Sequence, residues 1–140
     1  MNLYNIKRLL KEHEGVKKFP YICPAGKLTI GVGRNLEDVG LRENEIEYLL
    51  DNDIKECLQD LMKIFPNFNA IDEVRQAVLI DMRFNLGAGG FRSFRRFIKA
   101  VRERDWSEAV KEMKNSKWYY DVRDRAKRLC KMMETGEWPF

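Results

Sequence analysis

The sequence predicts an α+β fold that is mostly α, with one small β-hairpin near its start and helices over most of the remainder. Three observations predict it. Leu3, Ile6, Leu9, Leu10 and His13 recur at helical spacing ahead of Gly15. Residues 18–33 then switch to alternation around Pro24-Ala25-Gly26. From Ile46 onwards apolar residues return at helical spacing.

The first helix is expected to stop at Gly15, which takes the left-handed conformation that ends helices. Glu14 then lies in the last turn. The partial negative charge of the final carbonyls disfavours its ionised form, so a raised pKa is expected. Phe19, Tyr21 and Cys23 alternate, as do Leu28, Ile30 and Val32. A type I turn with Pro24 at its second position and Gly26 as a left-handed bulge residue pairs Cys23 with Lys27. In that register Tyr21 faces Thr29, and Cys23 and Thr29 become diagonal neighbours on one face. A two-residue loop would break the arrangement. Gly31 and Gly33 suit close approach of another backbone or a ligand.

Beyond the hairpin, Ile46, Leu49, Leu50, Ile54, Cys57, Leu58, Leu61 and Phe65 mark one long amphipathic helix that ends before Pro66. Residues 72–86 read as a more apolar helix closed by Leu86-Gly87-Ala88-Gly89-Gly90. Three shorter helices are expected near 93–103, 106–114 and 121–133.

The chemistry-bearing spacing is Glu14-x8-Cys23-x5-Thr29. It sets a carboxyl at a helix end and brings a thiol and a hydroxyl back on the hairpin. A glycosidase needs a carboxylic acid that is still protonated near its working pH. Position alone also fits a solvated glutamate, since Glu is mostly exposed, and Cys23 also fits a strand residue that only packs.

With Ile30-Gly31-Val32-Gly33 behind it, this spacing resembles the active-site segment of phage-type lysozymes, glycoside hydrolase family 24. The segment from Val74 to Gly87 is similar to that family's central core helix. Phe91 to Phe94, Asp105 to Ala109, Ser116 to Tyr119, Arg125 to Arg128 and Thr135 to Trp138 resemble its C-terminal helices. The resemblance implies a lysozyme-like, two-lobed fold in a single domain, 1–140. A hairpin lobe (about 15–40) joins, through a linking helix (about 42–65), a helical lobe (about 66–140) that includes the N-terminal helix. The two lobes are expected to meet in a cleft.

It also implies a muramidase that hydrolyses the β-1,4 bond between N-acetylmuramic acid and N-acetylglucosamine with inversion, acting as a phage or prophage endolysin. Glu14 would be the general acid, Thr29 would hold the attacking water, and Cys23, where the family has Asp or Cys, would help position it. Arg125 would approach Glu14, and Phe84 and Asn85 would line the cleft. Two departures stand out. Arg34 replaces the His that many relatives carry after the Gly-x-Gly, and His13 precedes the acid where some relatives have Asp, so ion pairs from these positions, including one to Arg128, are not carried over.

Composition agrees with this reading. The chain is 44% hydrophobic and 34% charged, ordinary for a globular protein. No run of about 18 apolar residues is present, so no transmembrane span is expected. Met1 to Arg8 lacks the apolar core of a signal peptide or anchor. Location in the host cytoplasm is therefore expected, with a holin giving access to the wall. Cys23, Cys57 and Cys130 make no disulfide framework, and with one His they give no metal signature. Cys57 and Cys130 read as core residues. No metal or cofactor is expected, and the chain is expected to be a monomer.

The formal charge of +4 favours an acidic partner such as peptidoglycan. Basic residues crowd the second half: Arg92, Arg95, Arg96, Lys99, Arg102 and Arg104, then Arg123, Arg125, Lys127, Arg128 and Lys131. Solvated helix faces explain many of them equally well. Two alternatives stay open: a lytic transglycosylase with a single catalytic Glu, and a basic nucleic-acid-binding module. No helix-turn-helix or other reader motif supports the latter.

Overall fold

In the computed structural model, which describes residues 1–140, the chain divides into two compact units, Met1–Leu49 and Leu50–Phe140. In the first, helix α1 (Leu3–Glu14) starts at Asn2, whose side chain accepts a hydrogen bond from the Asn5 amide at 3.0 Å. It ends at Gly15, whose N–H reaches the Lys11 carbonyl at 2.9 Å. Gly15 has the positive φ of 78° but, at ψ 170°, an extended ψ in place of the left-handed helical conformation expected from the sequence. A three-stranded antiparallel sheet follows in the order β1 (Lys17–Ile22), β2 (Leu28–Gly31), β3 (Arg34–Asn35). The register is the expected one, with Tyr21 opposite Thr29 and Ile22 opposite Leu28. The Cys23 N–H donates to Lys27 O at 2.9 Å, the Gly26 N–H to Cys23 O at 2.8 Å, and Gly26 has φ 79°. Pairing is irregular between Lys17 and Tyr21, where Pro20 has no N–H to offer the ladder. The third strand, of two residues, extends the expected hairpin into a sheet.

Thr29 is the one buried residue of the first unit. The apolar stripe of α1 is present as a pattern, yet α1 contributes no buried residue. The loop after β3 is clamped instead by charge. Arg34 donates from Nη1 to Glu45 Oε1 at 2.7 Å and to Gly40 O at 3.2 Å. Glu45 lies in the first turn of α2 (Glu43–Ile64) and accepts the Arg42 N–H at 2.8 Å, half of a capping box. Arg34 foremost, and then the Arg42 amide, hold the Glu45 carboxyl down to about 2 from 4.5.

In the second unit, α2 runs on to Ile64 and stops before Phe65-Pro66, as expected from the apolar pattern. A 3-10 turn (Phe68–Ala70) leads to α3 (Glu73–Arg92), capped by Asp72 and interrupted at Gly87 by φ 76° and ψ 172°. The expected closure after Leu86 is this break, and a further short helical stretch carries the chain on to Arg92. Then come α4 (Arg95–Arg102), α5 (Trp106–Lys114), α6 (Lys117–Val122) and α7 (Asp124–Thr135). The last two replace the single helix expected near 121–133. Ser116 caps α6, accepting the Tyr119 N–H at 3.2 Å, and Arg123 at φ 44° separates α6 from α7.

The core of this unit is a file of aromatic rings among aliphatic and Met side chains. Phe65, Phe91, Phe97, Phe94 and Trp118 meet edge to face in that order, with centroids 6.1–6.3 Å apart. Such pairs add about 0.5–1.5 kcal/mol each beyond area burial. Arginines seal the helix ends. Arg102 donates Nε and Nη2 to the Ile64 carbonyl at 3.1 and 2.9 Å, satisfying an orphan acceptor at the end of α2. Arg75 does the same for α7 through Met133 O and Glu134 O while lying over the Trp106 ring at 4.6 Å. Asp60, on α2, holds Arg83 at 2.6 Å and also Arg92, both on α3. The Arg92 bond foremost keeps its carboxyl below the ordinary range. Cys57 and Cys130 are buried core thiols, as expected.

The Glu45 clamp sets a pH dependence. A carboxyl whose folded pKa is depressed stabilises above its unfolded value of 4.5 and loses that contribution as pH falls towards about 2. Glu45→Gln is therefore expected to melt below the parent at neutral pH, with the gap closing between about pH 5 and pH 2. Melting temperatures of both chains across that range check it; a gap that is constant with pH would contradict the clamp.

Candidate active site

Turn chemistry brings Cys23 and Thr29 together. Cys23 closes the β1–β2 turn, and Thr29 is the first residue of β2 after Leu28. Thr29 is 3% exposed and donates its hydroxyl hydrogen to Lys27 O at 2.8 Å. Cys23 is half-buried beside it. Hydrogen bonding from the backbone at Lys27 foremost, then from the Thr29 hydroxyl, holds the Cys23 thiol below its ordinary pKa. The hydroxyl has one hydrogen, already given to Lys27 O, so it turns to the sulfur only by leaving that acceptor. The backbone contribution is the firmer of the two.

Glu14 is exposed at the end of α1. Its carboxyl lies on the β2–β3 turn: a Cβ added to Gly33 would stand 2.6 Å from Glu14 Oε2 and 3.0 Å from its carboxyl carbon. Gly33 has φ 64°, and Gly31 has φ 68° with open space around its own missing Cβ. The sequence signalled close approach at both glycines, and the structure assigns the Glu14 side chain to the second. The helix end and the sheet of the first unit thus carry an acid, a thiol and a buried hydroxyl.

The other expected residues belong to the second unit. Phe84 is exposed at 45%. Asn85 accepts the Trp118 indole N–H at 3.0 Å, which fixes both side chains on the wall of an open pocket of about 680 Å³ shared with Phe94, Arg96, Glu112 and Ser116. Phe84 is not among its lining residues. Arg125 donates from Nε to Asp81 at 2.8 Å, both side chains being partly exposed. No sequence signal points to the Asn85–Trp118 bond, whose partners lie 33 residues apart. The Arg34–Glu45 pair was likewise unforeseen; its one signal was an Arg after the Gly-x-Gly.

A family model described as phage lysozyme matches residues 11–133, which include all three of Glu14, Cys23 and Thr29. The chain belongs to that family. Two curated relatives from Dictyostelium discoideum are named as probable T4-type lysozymes. They are 30% and 27% identical, each alignment covering 94% of this chain and 95% of the relative. The pre-baseplate central spike protein Gp5 of Enterobacteria phage T4 is 24% identical over 94% of this chain and 28% of its own length. Membership supports a lysozyme-like, peptidoglycan-hydrolysing glycosidase function. No helix is long and apolar enough to cross a membrane.

The two glycines make a controlled pair. Gly31→Ala and Gly33→Ala both force a side chain into positive φ, at a cost of about 1–3 kcal/mol. Gly33→Ala alone also displaces the Glu14 carboxyl. Similar losses of melting temperature are expected for both variants, with a loss of wall-lysing activity of at least about tenfold for Gly33→Ala only, on the scale of misplaced catalytic groups. Equal activities would mean that the Glu14–Gly33 contact has no functional weight.

Proposed function

We propose that the chain is a muramidase that hydrolyses the β-1,4 bond between N-acetylmuramic acid and N-acetylglucosamine, and that it acts as a phage or prophage endolysin. The observation that supports this best is the meeting of α1 and the sheet at Gly33. There the expected acid lies on the same small sheet as the thiol and hydroxyl expected to handle water.

Glu14, as the carboxylic acid, gives its proton to the glycosidic oxygen as the bond from that oxygen to the anomeric carbon breaks. It leaves the step as a carboxylate. Thr29, its hydrogen committed to Lys27 O, presents lone pairs and accepts one hydrogen of a water molecule. Cys23 accepts the other, the better for a thiol whose pKa is lowered. With both hydrogens held, the oxygen lone pair of the water is free to form the new bond to carbon. Its surplus proton passes to the sulfur where Cys23 is ionised as the thiolate, which becomes the thiol, and otherwise to solvent. Attack from the face opposite the leaving group inverts the anomeric centre, as the family resemblance implies. Peptidoglycan, with its stem-peptide carboxylates, suits the positive net charge. A holin is the partner proposed to give access to the wall.

Glu14→Gln keeps the size of the side chain but removes the transferable proton. Wall lysis is expected to fall by about 10²–10⁴-fold with the melting temperature retained. Reducing-end and mass analysis of peptidoglycan digested by the parent tests the reaction class alongside. A free reducing muramic acid is expected, and an anhydro end would make the enzyme a transglycosylase.

Cys23 is tested by two substitutions. Cys23→Asp is expected to keep substantial activity, because a carboxylate accepts a hydrogen bond from the same water. Cys23→Ala is expected to lose at least about tenfold, within the range of general acid–base contributions. Lysis rates at matched folded fractions check both. A fully active Cys23→Ala enzyme would remove the thiol from the mechanism.

A further inference from the structure

Between Arg83 and Arg102 the chain carries six cationic residues (Arg83, Arg92, Arg95, Arg96, Lys99 and Arg102) and no carboxylate. Helix α4 sorts this stretch into two faces. Phe97, Ile98, Ala100 and Val101 are buried, while Arg95, Arg96, Lys99 and Arg102 are exposed. Where α4 lies beside the end of α2 there is a pocket of about 380 Å³ lined by Lys63, Ile64, Arg92, Arg95, Ile98 and Arg102. Four of these six lining residues are cations and none is acidic, so the pocket holds a concentrated positive field.

Little inside the protein neutralises that field. Asp60 is shared between Arg92 and Arg83, so one carboxylate faces two guanidinium groups. Arg102 gives Nε and Nη2 to the Ile64 carbonyl, which fixes its plane and leaves its charge uncompensated. No salt bridge engages Lys63 or Arg95. The pocket therefore combines two guanidinium groups held in place with two free cations, the arrangement that recognises a phosphate through charge-assisted hydrogen bonds.

We propose that this pocket binds phosphate groups of a polyol-phosphate polymer, a phosphodiester chain of the kind that a cell envelope presents, at a site separate from Glu14, Cys23 and Thr29. Two observations favour this occupant. No aromatic side chain lines the pocket to stack a nucleobase, which single-stranded nucleic acid binding exploits. The apolar lining residues, Ile64 and Ile98, are only 6% and 7% exposed, so the pocket offers no side chain for insertion into a bilayer. The inference does not depend on the hydrolytic reading, because it concerns binding alone.

The test is calorimetric titration of the full chain with poly(glycerol phosphate) over a series of salt concentrations. The parent is compared with Lys63→Gln/Arg95→Gln and with a control of equal charge, Lys7→Gln/Lys127→Gln. Loss of two phosphate contacts is expected to weaken binding by about tenfold or more, and to flatten the slope of log K against log salt by about 1.4. The control is expected to change affinity by less than about twofold, as a purely long-range charge effect. Single-stranded DNA with the same number of phosphates, and vesicles of phosphatidylcholine with phosphatidylglycerol, are expected to bind more weakly than the polymer. Should the double variant melt early, Lys63→Gln and Arg95→Gln singly carry the same comparison. The proposal is overturned by absence of polymer binding, by an equal loss in the control, or by preferred binding of the DNA or the vesicles through Lys63 and Arg95.

Discussion

Side chains of a strand alternate between faces, so a slip of one residue in the pairing of β1 with β2 would turn Thr29 away from the thiol and bring Ile30 in its place. In most sheets, burial of an apolar face prevents such a slip. Here the first unit buries one residue, and that residue is polar, so register has to come from the turn and from hydrogen bonds. Gly26 at positive φ, the Cys23–Lys27 closure and the bond from Thr29 Oγ1 to Lys27 O supply it at one end. Glu37 accepts the Leu28 N–H at 2.8 Å and Leu36 donates to Leu28 O at 2.8 Å, which pins the start of β2 to the chain that follows β3. The relation of thiol to hydroxyl, and of both to the turn under Glu14, follows from this one pairing.

The second unit is held by different physics. Its aromatic file and its Met and aliphatic side chains exclude water, and arginines close the helix ends where backbone carbonyls would otherwise be orphaned. Asp60 on α2 is tied to two arginines on α3, and removing it would leave Arg83, which is 9% exposed, as a nearly buried charge without a partner. Stability is concentrated where the apolar burial is. The residues proposed for chemistry sit in the unit shaped by hydrogen bonds and glycines, with little apolar cover.

How much of this was legible follows from how local each cause is. Pro24-Ala25-Gly26 specifies its turn within five residues, so the register and the meeting of Cys23 with Thr29 could be read directly. The long helix before Pro66 and the closure at Gly87 were readable for the same reason. The strand Arg34–Asn35 was not, because two residues carry no periodicity. Nor was the division of α6 from α7, since Arg123 takes its positive φ without the glycine or proline that would have signalled it. The pairs Arg34–Glu45 and Asn85–Trp118 depend on tertiary approach, and nothing in the spacing of their partners encodes it. For Glu14 the helix end was legible, while the seat of its carboxyl on Gly33 was visible only as a glycine wanting company.

The three thiols differ in a way that has a practical consequence. Burial pushes Cys57 up and Cys130 up to about 11, whereas Cys23 is half-buried with its thiol held down by its neighbours. Because the thiolate is the reacting form, a maleimide or a disulfide exchange reagent meets one receptive sulfur and two inert ones. The unaltered chain is thereby equipped with a single attachment point for a spin label or fluorophore, located beside Thr29 and needing no engineered cysteine.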